Sequence, residues 1–140
     1  MKTETITLDT KNSEFVDLTS KVSGFVSEAG SGLVNVFVPH ATAGIALVET
    51  GSGSEEDLRA AIDRLLPRED IYKHQHGSEG HGADHVLPAF ISPSVTIPVI
   101  DGAPALGTWQ SIVFVDTNVD NPQRKAILSF LPSGEGAAGG

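Results

Sequence analysis

Histidine is the residue type whose chemistry and spacing most suggest a reactive site in this sequence. The chain has five histidines, His40, His74, His76, His81 and His85, and four of them fall within twelve residues. Imidazole is a common protein ligand for zinc, and catalytic zinc sites use three protein ligands plus a water molecule. Three neutral imidazoles leave the charge of the ion available to polarise a water or substrate oxygen. The histidines therefore predict a metal-binding active site.

Spacing restricts which histidines can act together. His74 and His76 are two residues apart, so they share a face only where the backbone is extended. His81 and His85 are four apart and share a face only in a helix, and the small residues around His81 argue against a helix there. His40 follows a predicted strand, which offers a rigid platform. Spacing alone leaves a second interpretation open, in which the loop histidines are solvated and His40 is a structural residue.

The elements that must position these side chains follow from hydrophobic periodicity. A helix is predicted between a cap at Thr19 or Ser20 and its end at Gly30. A clearer helix is capped by Ser54, has acidic residues in its first turn and is closed by Pro67. Residues 68 to about 83 form a long polar loop of the kind that often carries function, and a short helix is predicted to begin near Asp84. Strands are predicted at residues 3–8, 33–38, 43–48, 94–100, 108–115 and 125–130.

These elements do not alternate regularly between strand and helix. We expect about six to eight strands with two or three helices, which is typical of an α+β fold. The length of 140 residues suits one domain, predicted over residues 1–131, followed by a flexible glycine-rich tail at 132–140.

Composition limits the partners that this protein can have. The chain has 9 basic and 18 acidic residues, a net charge of −9 and a pI near 4.8, which argues against nucleic acid. No stretch approaches the roughly 18 apolar residues of a membrane span, so no membrane partner is expected. The absence of cysteine excludes disulfides and thiolate metal ligands and fits a cytoplasmic protein. A small-molecule substrate remains as the expected partner.

Two sequence blocks resemble those of a known family. The segment VFVPHATAGI at residues 36–45 is similar to the VPHTTAGI signature of the YjbQ-like family. SVTIPV at 94–99, followed by GTWQ at 107–110, is similar to the block that reads PSLTVPV and GTWQGI in that family. Asp57 and the pair Asp84-His85 match further family positions. The resemblance runs in one order through residues 3–131.

The resemblance implies a fold, an assembly and an activity. The fold would be a mixed β-sheet curled into a half-barrel with two or three helices packed outside, assembled as a homotrimer. Members of the family are described as secondary thiamine-phosphate synthases with weak activity, so we expect a metal-dependent transferase acting on a small phosphorylated substrate. A zinc-binding hydrolase and a non-catalytic metal- or metabolite-binding module are the alternatives.

Carried over residue by residue, the resemblance implies a set of metal ligands. His40, His74 and His85 are the predicted ligands, and His76 and His81 compete for the place of His74. The expected cofactor is a divalent metal, zinc in the first place and magnesium as the alternative.

The remaining candidate residues have roles around the ion. Glu49 or Asp84 is predicted to orient a ligand or relay protons, and Gln110 to position the substrate, as the catalytic residues of the site. Thr42 and Arg124 are the predicted substrate-binding residues, although a solvated strand edge is an open interpretation for Arg124. Trp109 is predicted to pack in the core or against another subunit.

Overall fold

The computed structural model describes residues 1–69, 71–74 and 77–134. Within these residues the elements are, in chain order, β1 (Lys2–Asp9), β2 (Phe15–Asp17), α1 (Thr19–Val26), β3 (Gly32–Phe37), β4 (Gly44–Val48), α2 (Ser54–Leu65), α3 (His81–Val86), a 3-10 turn (Leu87–Ala89), β5 (Ser94–Ile100), β6 (Ala103–Pro104), β7 (Ser111–Val115) and β8 (Gln123–Pro132). None of the helices in the described part of the chain is long and apolar enough to cross a membrane.

The strands form two sheets. A five-stranded sheet in the order β1-β8-β3-β5-β6 curls into a half-barrel, and a three-stranded sheet has the order β2-β7-β4. The predicted α+β half-barrel is confirmed. Every pairing of the described strands is antiparallel, however, whereas the family resemblance implied a mixed sheet. The reason is topological: both helical connections carry the chain from the smaller sheet to the larger one, so no helix serves as a crossover between parallel neighbours.

The main hydrophobic core lies between the half-barrel, α1 and one face of the smaller sheet. Its members are buried apolar residues that alternate along each strand, as period-2 side-chain direction requires. They include Val22, Val26, Val34, Val36, Ile112, Phe114, Ala126 and Leu128. On β8 this alternation also turns Arg124 toward the interior.

A second core covers the other face of the smaller sheet and positions the histidines. Val113 and Val115 of β7 face this side, while the intervening residue Phe114 faces the main core. Ile62 of α2 and Ala83 of α3 pack against these valines. Because β7 is buried on both faces, it provides a fixed surface against which α3 packs.

The chain turns before β7 and not within it. The predicted strand at 108–115 begins only at Ser111, because Gly107 donates its N–H to the side-chain oxygen of Gln110 at 2.8 Å and closes a turn. Trp109 lies in this turn and is 73% exposed, so the predicted packing of Trp109 in the core is wrong. Packing of Trp109 against another subunit stays a prediction.

The last strand runs slightly beyond the predicted domain boundary. β8 continues to Pro132, and the N–H of Ser133 donates to the carbonyl of Ser31 at 3.0 Å. Residues 135–140 of the predicted tail lie outside the described residues.

Candidate metal centre

His81 and His85 lie on one face of a helix that the sequence argued against. Helix α3 begins at His81, so the two imidazoles stand at positions i and i+4, one above the other. Gly80 precedes the helix in the left-handed conformation, with φ of 87°, which glycine adopts without steric cost. The Asp84 N–H donates to the carbonyl of Gly80 at 3.0 Å and closes the first turn. The small residues that seemed to oppose a helix therefore allow it to start.

Gly82 allows a third histidine to approach this face. A Cβ atom at Gly82 would lie 2.6 Å from the Cβ of Tyr72 and 2.9 Å from the carbonyl oxygen of His74. A side chain at position 82 would push this segment outward. The absence of one lets the backbone that carries His74 pack directly on α3.

The three imidazoles form a compact group. One potential ligand atom from each of His74, His81 and His85 lies within 4.8 Å of the other two. The ring centroids of His74 and His85 are 4.0 Å apart, and those of His81 and His85 are 4.4 Å apart. The structure thus brings together two of the three predicted ligands and adds His81, which was the competing candidate. His76 lies outside the described residues.

The closest contact in the group is between two ring nitrogens. The Nε2 atoms of His81 and His85 are 2.8 Å apart. Two lone pairs repel each other at that distance, so the contact requires either a proton between the nitrogens or a cation bound by both of them. Three imidazole nitrogens and no thiolate form the donor set of a catalytic zinc site, whereas magnesium prefers oxygen ligands. The residues present therefore fit zinc better than magnesium.

Asp120 belongs to the site, although it was not among the residues predicted from the sequence. Its carboxylate lies 3.0 Å from Nδ1 of His81, on the side of the ring away from Nε2. The backbone N–H of Ser78 donates to the same carboxylate at 3.1 Å, and the Ser78 hydroxyl donates to its other oxygen. These hydrogen bonds from Ser78, with a smaller contribution from His81, lower the pKa of Asp120. The only signal in the sequence was the alternation of Asp116, Asn118 and Asp120 in a polar loop.

Asp84 anchors the helix that carries the histidines. It is almost completely buried, and both of its oxygens accept hydrogen bonds from Arg68, at 2.7 and 3.1 Å. The Thr117 hydroxyl donates to one of the same oxygens. This pairing also raises the pKa of Arg68, chiefly through the hydrogen bond to Asp84. In this structure Asp84 stabilises the position of α3, and the proton relay predicted for it stays a prediction.

His40 is not brought to the three-histidine group. The backbone N–H of Lys125 donates to Nε2 of His40 at 2.9 Å, which occupies the one lone pair of the neutral ring. Burial, followed by the charge of Arg124, lowers the pKa of His40 and so favours that neutral form. Among the described residues, the group of potential metal ligands contains His74, His81 and His85 and omits His40. In this conformation His40 has no nitrogen to offer to the same ion.

Thr42 and Arg124 belong to a buried polar network. Arg124 donates to both oxygens of Asp116, at 2.7 and 3.0 Å, and to the Thr42 hydroxyl at 2.7 Å. The Thr10 hydroxyl also donates to Asp116, at 2.6 Å. The side chains of Arg124 and Asp116 are 2% and 0% exposed, so the interpretation of Arg124 as a solvated strand edge is wrong.

The two other predicted catalytic residues make contacts of their own. Glu49 is exposed directly after β4 and lines a cavity of about 250 Å³ together with Asp57 and Leu58. Gln110 closes the turn that precedes β7 through its bond from Gly107. None of these contacts links Glu49 or Gln110 to the three histidines within the segments that the structure describes.

Comparison with known proteins supports the sequence resemblance over almost the whole chain. A family model described as UPF0047 protein YjbQ-like matches residues 4–133. UPF0047 protein Rv2556c of Mycobacterium tuberculosis is 60% identical over 131 residues, which cover 94% of this chain and 98% of that protein. UPF0047 protein YugU of Bacillus subtilis is 32% identical over 120 residues, covering 83% and 87% of the two chains.

Solved structures show the same fold. The crystal structure of the hypothetical protein APE1520 from Aeropyrum pernix superposes with a TM-score of 0.84 at 34% identity, covering 95% of this chain and 100% of that one. A YbjQ-like protein of unknown function from Sulfolobus solfataricus superposes with a TM-score of 0.85 at 27% identity, covering 94% and 97%.

Proposed function

This chain belongs to the YjbQ-like UPF0047 family, and we propose that it is a metal-dependent enzyme whose centre is held by His74, His81 and His85. The observation that carries the proposal is the convergence of three imidazoles from two segments, with potential ligand atoms within 4.8 Å of one another. His81 takes the place that the family resemblance assigned to His40.

Zinc is the ion that this donor set favours, for the reasons of ligand type given above. A divalent ion held there would act as a Lewis acid that polarises a phosphate oxygen or a water molecule. The chain contributes three neutral nitrogen ligands, which keep the net charge of the centre positive, and a carboxylate on the far side of His81. Asp84 keeps α3 in place through its paired contacts with Arg68.

The proposed substrate is a small phosphorylated molecule. A positive centre attracts phosphate groups locally even in a chain of net charge −9, because a bound ion is the largest charge in its immediate surroundings. The family resemblance names the reaction, in which a pyrimidine diphosphate loses pyrophosphate as a thiazole phosphate attacks. Glu49, Gln110, Thr42 and Arg124 keep the roles predicted from the resemblance.

Elemental analysis of the purified protein is the first test of the proposal. We expect about one zinc ion per chain in the wild type and none in a His81→Ala, His85→Ala double variant. The zinc-loaded protein is then assayed with the pyrimidine diphosphate and thiazole phosphate together and with each alone. Product that requires both substrates supports the transferase.

The same assay separates the alternatives. Consumption of a single phosphorylated substrate by water would identify a hydrolase, in which the three-histidine centre activates water. Stoichiometric zinc without turnover of any phosphorylated metabolite would contradict the enzyme and favour a non-catalytic binding module. Absence of zinc, magnesium and any other divalent metal would contradict the metal centre itself.

We also propose that the protein assembles as a homotrimer, as the family resemblance implies. Large apolar side chains on the outer face of the half-barrel support an interface there. Leu33 and Phe37 of β3 point outward on the same face, and Leu131 of β8 is the register partner of Leu33. Light scattering at micromolar concentration tests this proposal, and a monomeric mass would contradict it.

A further inference from the structure

We propose that Asp120 is a positioning residue that fixes the orientation and the tautomer of His81 for metal binding. The inference rests on the proposed function, because it concerns the same three-histidine centre. It starts from the 3.0 Å contact between the Asp120 carboxylate and Nδ1 of His81. The contact has the distance of an ion pair without the alignment of a formed hydrogen bond, and because a carboxylate accepts hydrogen bonds and does not donate them, it favours a proton on the ring nitrogen that faces Asp120.

A proton on Nδ1 determines which nitrogen of His81 is available to the three-histidine centre. With the proton on Nδ1, the neutral ring has its lone pair on Nε2, and Nε2 is the atom that lies 2.8 Å from His85. Metal-binding histidines commonly donate their second ring N–H to a carboxylate, which orients the ring and raises the basicity of the ligand nitrogen. The 3.0 Å contact places the Asp120 carboxylate where it can accept such a bond from Nδ1 of His81.

Hydrogen bonds hold both the side chain and the backbone of Asp120 in place. Ser78 donates to it through the backbone N–H and through the hydroxyl, and the N–H of Asp120 donates to the side-chain oxygen of Asn118 at 2.7 Å. Asn118 in turn donates its N–H to Asp116 at 3.0 Å. The carboxylate therefore does not have to be ordered when an ion binds, which lowers the entropic cost of forming the centre.

The loop that carries Asp120 is tied to the same helix as His81. Thr117 donates its hydroxyl to Asp84 of α3, and Asp116 is paired with Arg124 in the interior. Two separate contacts, Thr117 with Asp84 and Asp120 with His81, thus join this loop to α3. The distance between Asp120 and His81 is therefore set by the fold and not by the two side chains alone.

The test measures the tautomer of His81 and the affinity for zinc separately. ¹⁵N NMR of the metal-free protein, with His81 assigned by substitution, is expected to show the proton on Nδ1 in the wild type and a mixture of tautomers in Asp120→Ala. Zinc affinity, measured by competition with a chelator of known affinity, is expected to fall about 10–100-fold in Asp120→Ala. Asp120→Asn keeps the shape but loses the charge, and we expect a smaller loss of affinity than for Asp120→Ala.

Two further variants separate positioning from loop stability. Ser78→Ala removes a hydrogen bond to Asp120 but leaves the carboxylate on His81, so its zinc affinity should stay within about threefold of wild type and Nδ1 should keep its proton. Asp63→Ala removes an exposed carboxylate on α2 and should change neither measurement. A loss in Ser78→Ala as large as that in Asp120→Ala would show that Asp120 acts through the loop and would overturn the inference.

The tautomer of His81 and the affinity for zinc are measured separately, so the role of Asp120 and the proposed function can fail independently. If the wild type binds no metal, the metal centre fails, while the NMR measurement still tests the contact. A proton on Nε2 of His81 in the metal-free wild type, or an unchanged tautomer in Asp120→Ala, would overturn the positioning role even if zinc binds.

Discussion

The Nε2 atoms of His81 and His85 lie 2.8 Å apart on one face of α3, at positions i and i+4 of the helix. A proton between the two nitrogens satisfies this contact in the absence of metal, and a cation can replace it. Protons and metal ions therefore compete for the same nitrogens, so zinc affinity should weaken as the pH falls. The contact also predicts that His81 and His85 are both ligands.

The ligand set can be tested by comparing single variants. His81→Ala and His85→Ala should each lose more zinc affinity than the 10–100-fold that loss of an outer partner costs, because each removes a direct ligand. His40→Ala should retain stoichiometric zinc, since His40 lies outside the three-histidine group. Elemental analysis and chelator competition measure both effects. Loss of zinc in His40→Ala with retention in His81→Ala would return the assignment to the ligand set predicted from sequence.

Gly82 should be required for the approach of His74 to α3. Gly82→Ala places a Cβ 2.6 Å from the Cβ of Tyr72, so we expect a loss of about 1–3 kcal/mol in the free energy of unfolding, together with weaker zinc binding. Gly24→Ala in α1 is the matched control, because its Cβ would meet nothing within 4 Å. That control should stabilise the protein by up to about 1 kcal/mol, as alanine favours helix over glycine. Chemical denaturation measures both, and equal effects of the two variants would contradict the packing argument.

Breaking the buried ion pair of Arg124 and Asp116 should lower the free energy of unfolding substantially. Arg124→Met leaves the Asp116 carboxylate buried without its partner, and we expect a loss of about 3–5 kcal/mol in the free energy of unfolding. Lys125→Met is the control on the next residue of β8, where the side chain is exposed, and should change stability by no more than about 0.5 kcal/mol. A cost below about 1 kcal/mol for Arg124→Met would show that the pair contributes little.

His40 should make the stability of the fold depend on pH. Burial and Arg124 lower the pKa of His40 below its usual 6.5, so near and below pH 6.5 the unfolded chain binds protons more readily than the folded one. The contribution of neutral His40 to stability is therefore complete above pH 6.5 and is lost as the pH falls toward the lower pKa of the folded state. His40→Gln should lose less stability between pH 8 and pH 5.5 than the wild type does. Denaturation in the presence of chelator measures the difference, and parallel profiles for the two proteins would contradict it.

The local elements and the family were readable in the sequence. The strand predicted at 94–100 is β5 as observed, and the helix predicted from Ser54 is α2. These predictions succeeded because side-chain period and turn residues are local properties, set by neighbours within a few positions. The enrichment of histidine between residues 74 and 85 pointed to the right segment for the same reason.

Tertiary structure alone decided which side chains meet. Asp120 reaches His81 from 39 residues along the chain, and Lys125 occupies the lone pair of His40 from 85 residues away. His74 can approach α3 because Gly82 has no side chain, and hydrophobic periodicity does not predict that packing. Spacing in a sequence describes neighbours along one backbone, whereas a metal centre requires donor atoms from separate segments to converge within a few ångströms, and only long-range packing sets that convergence.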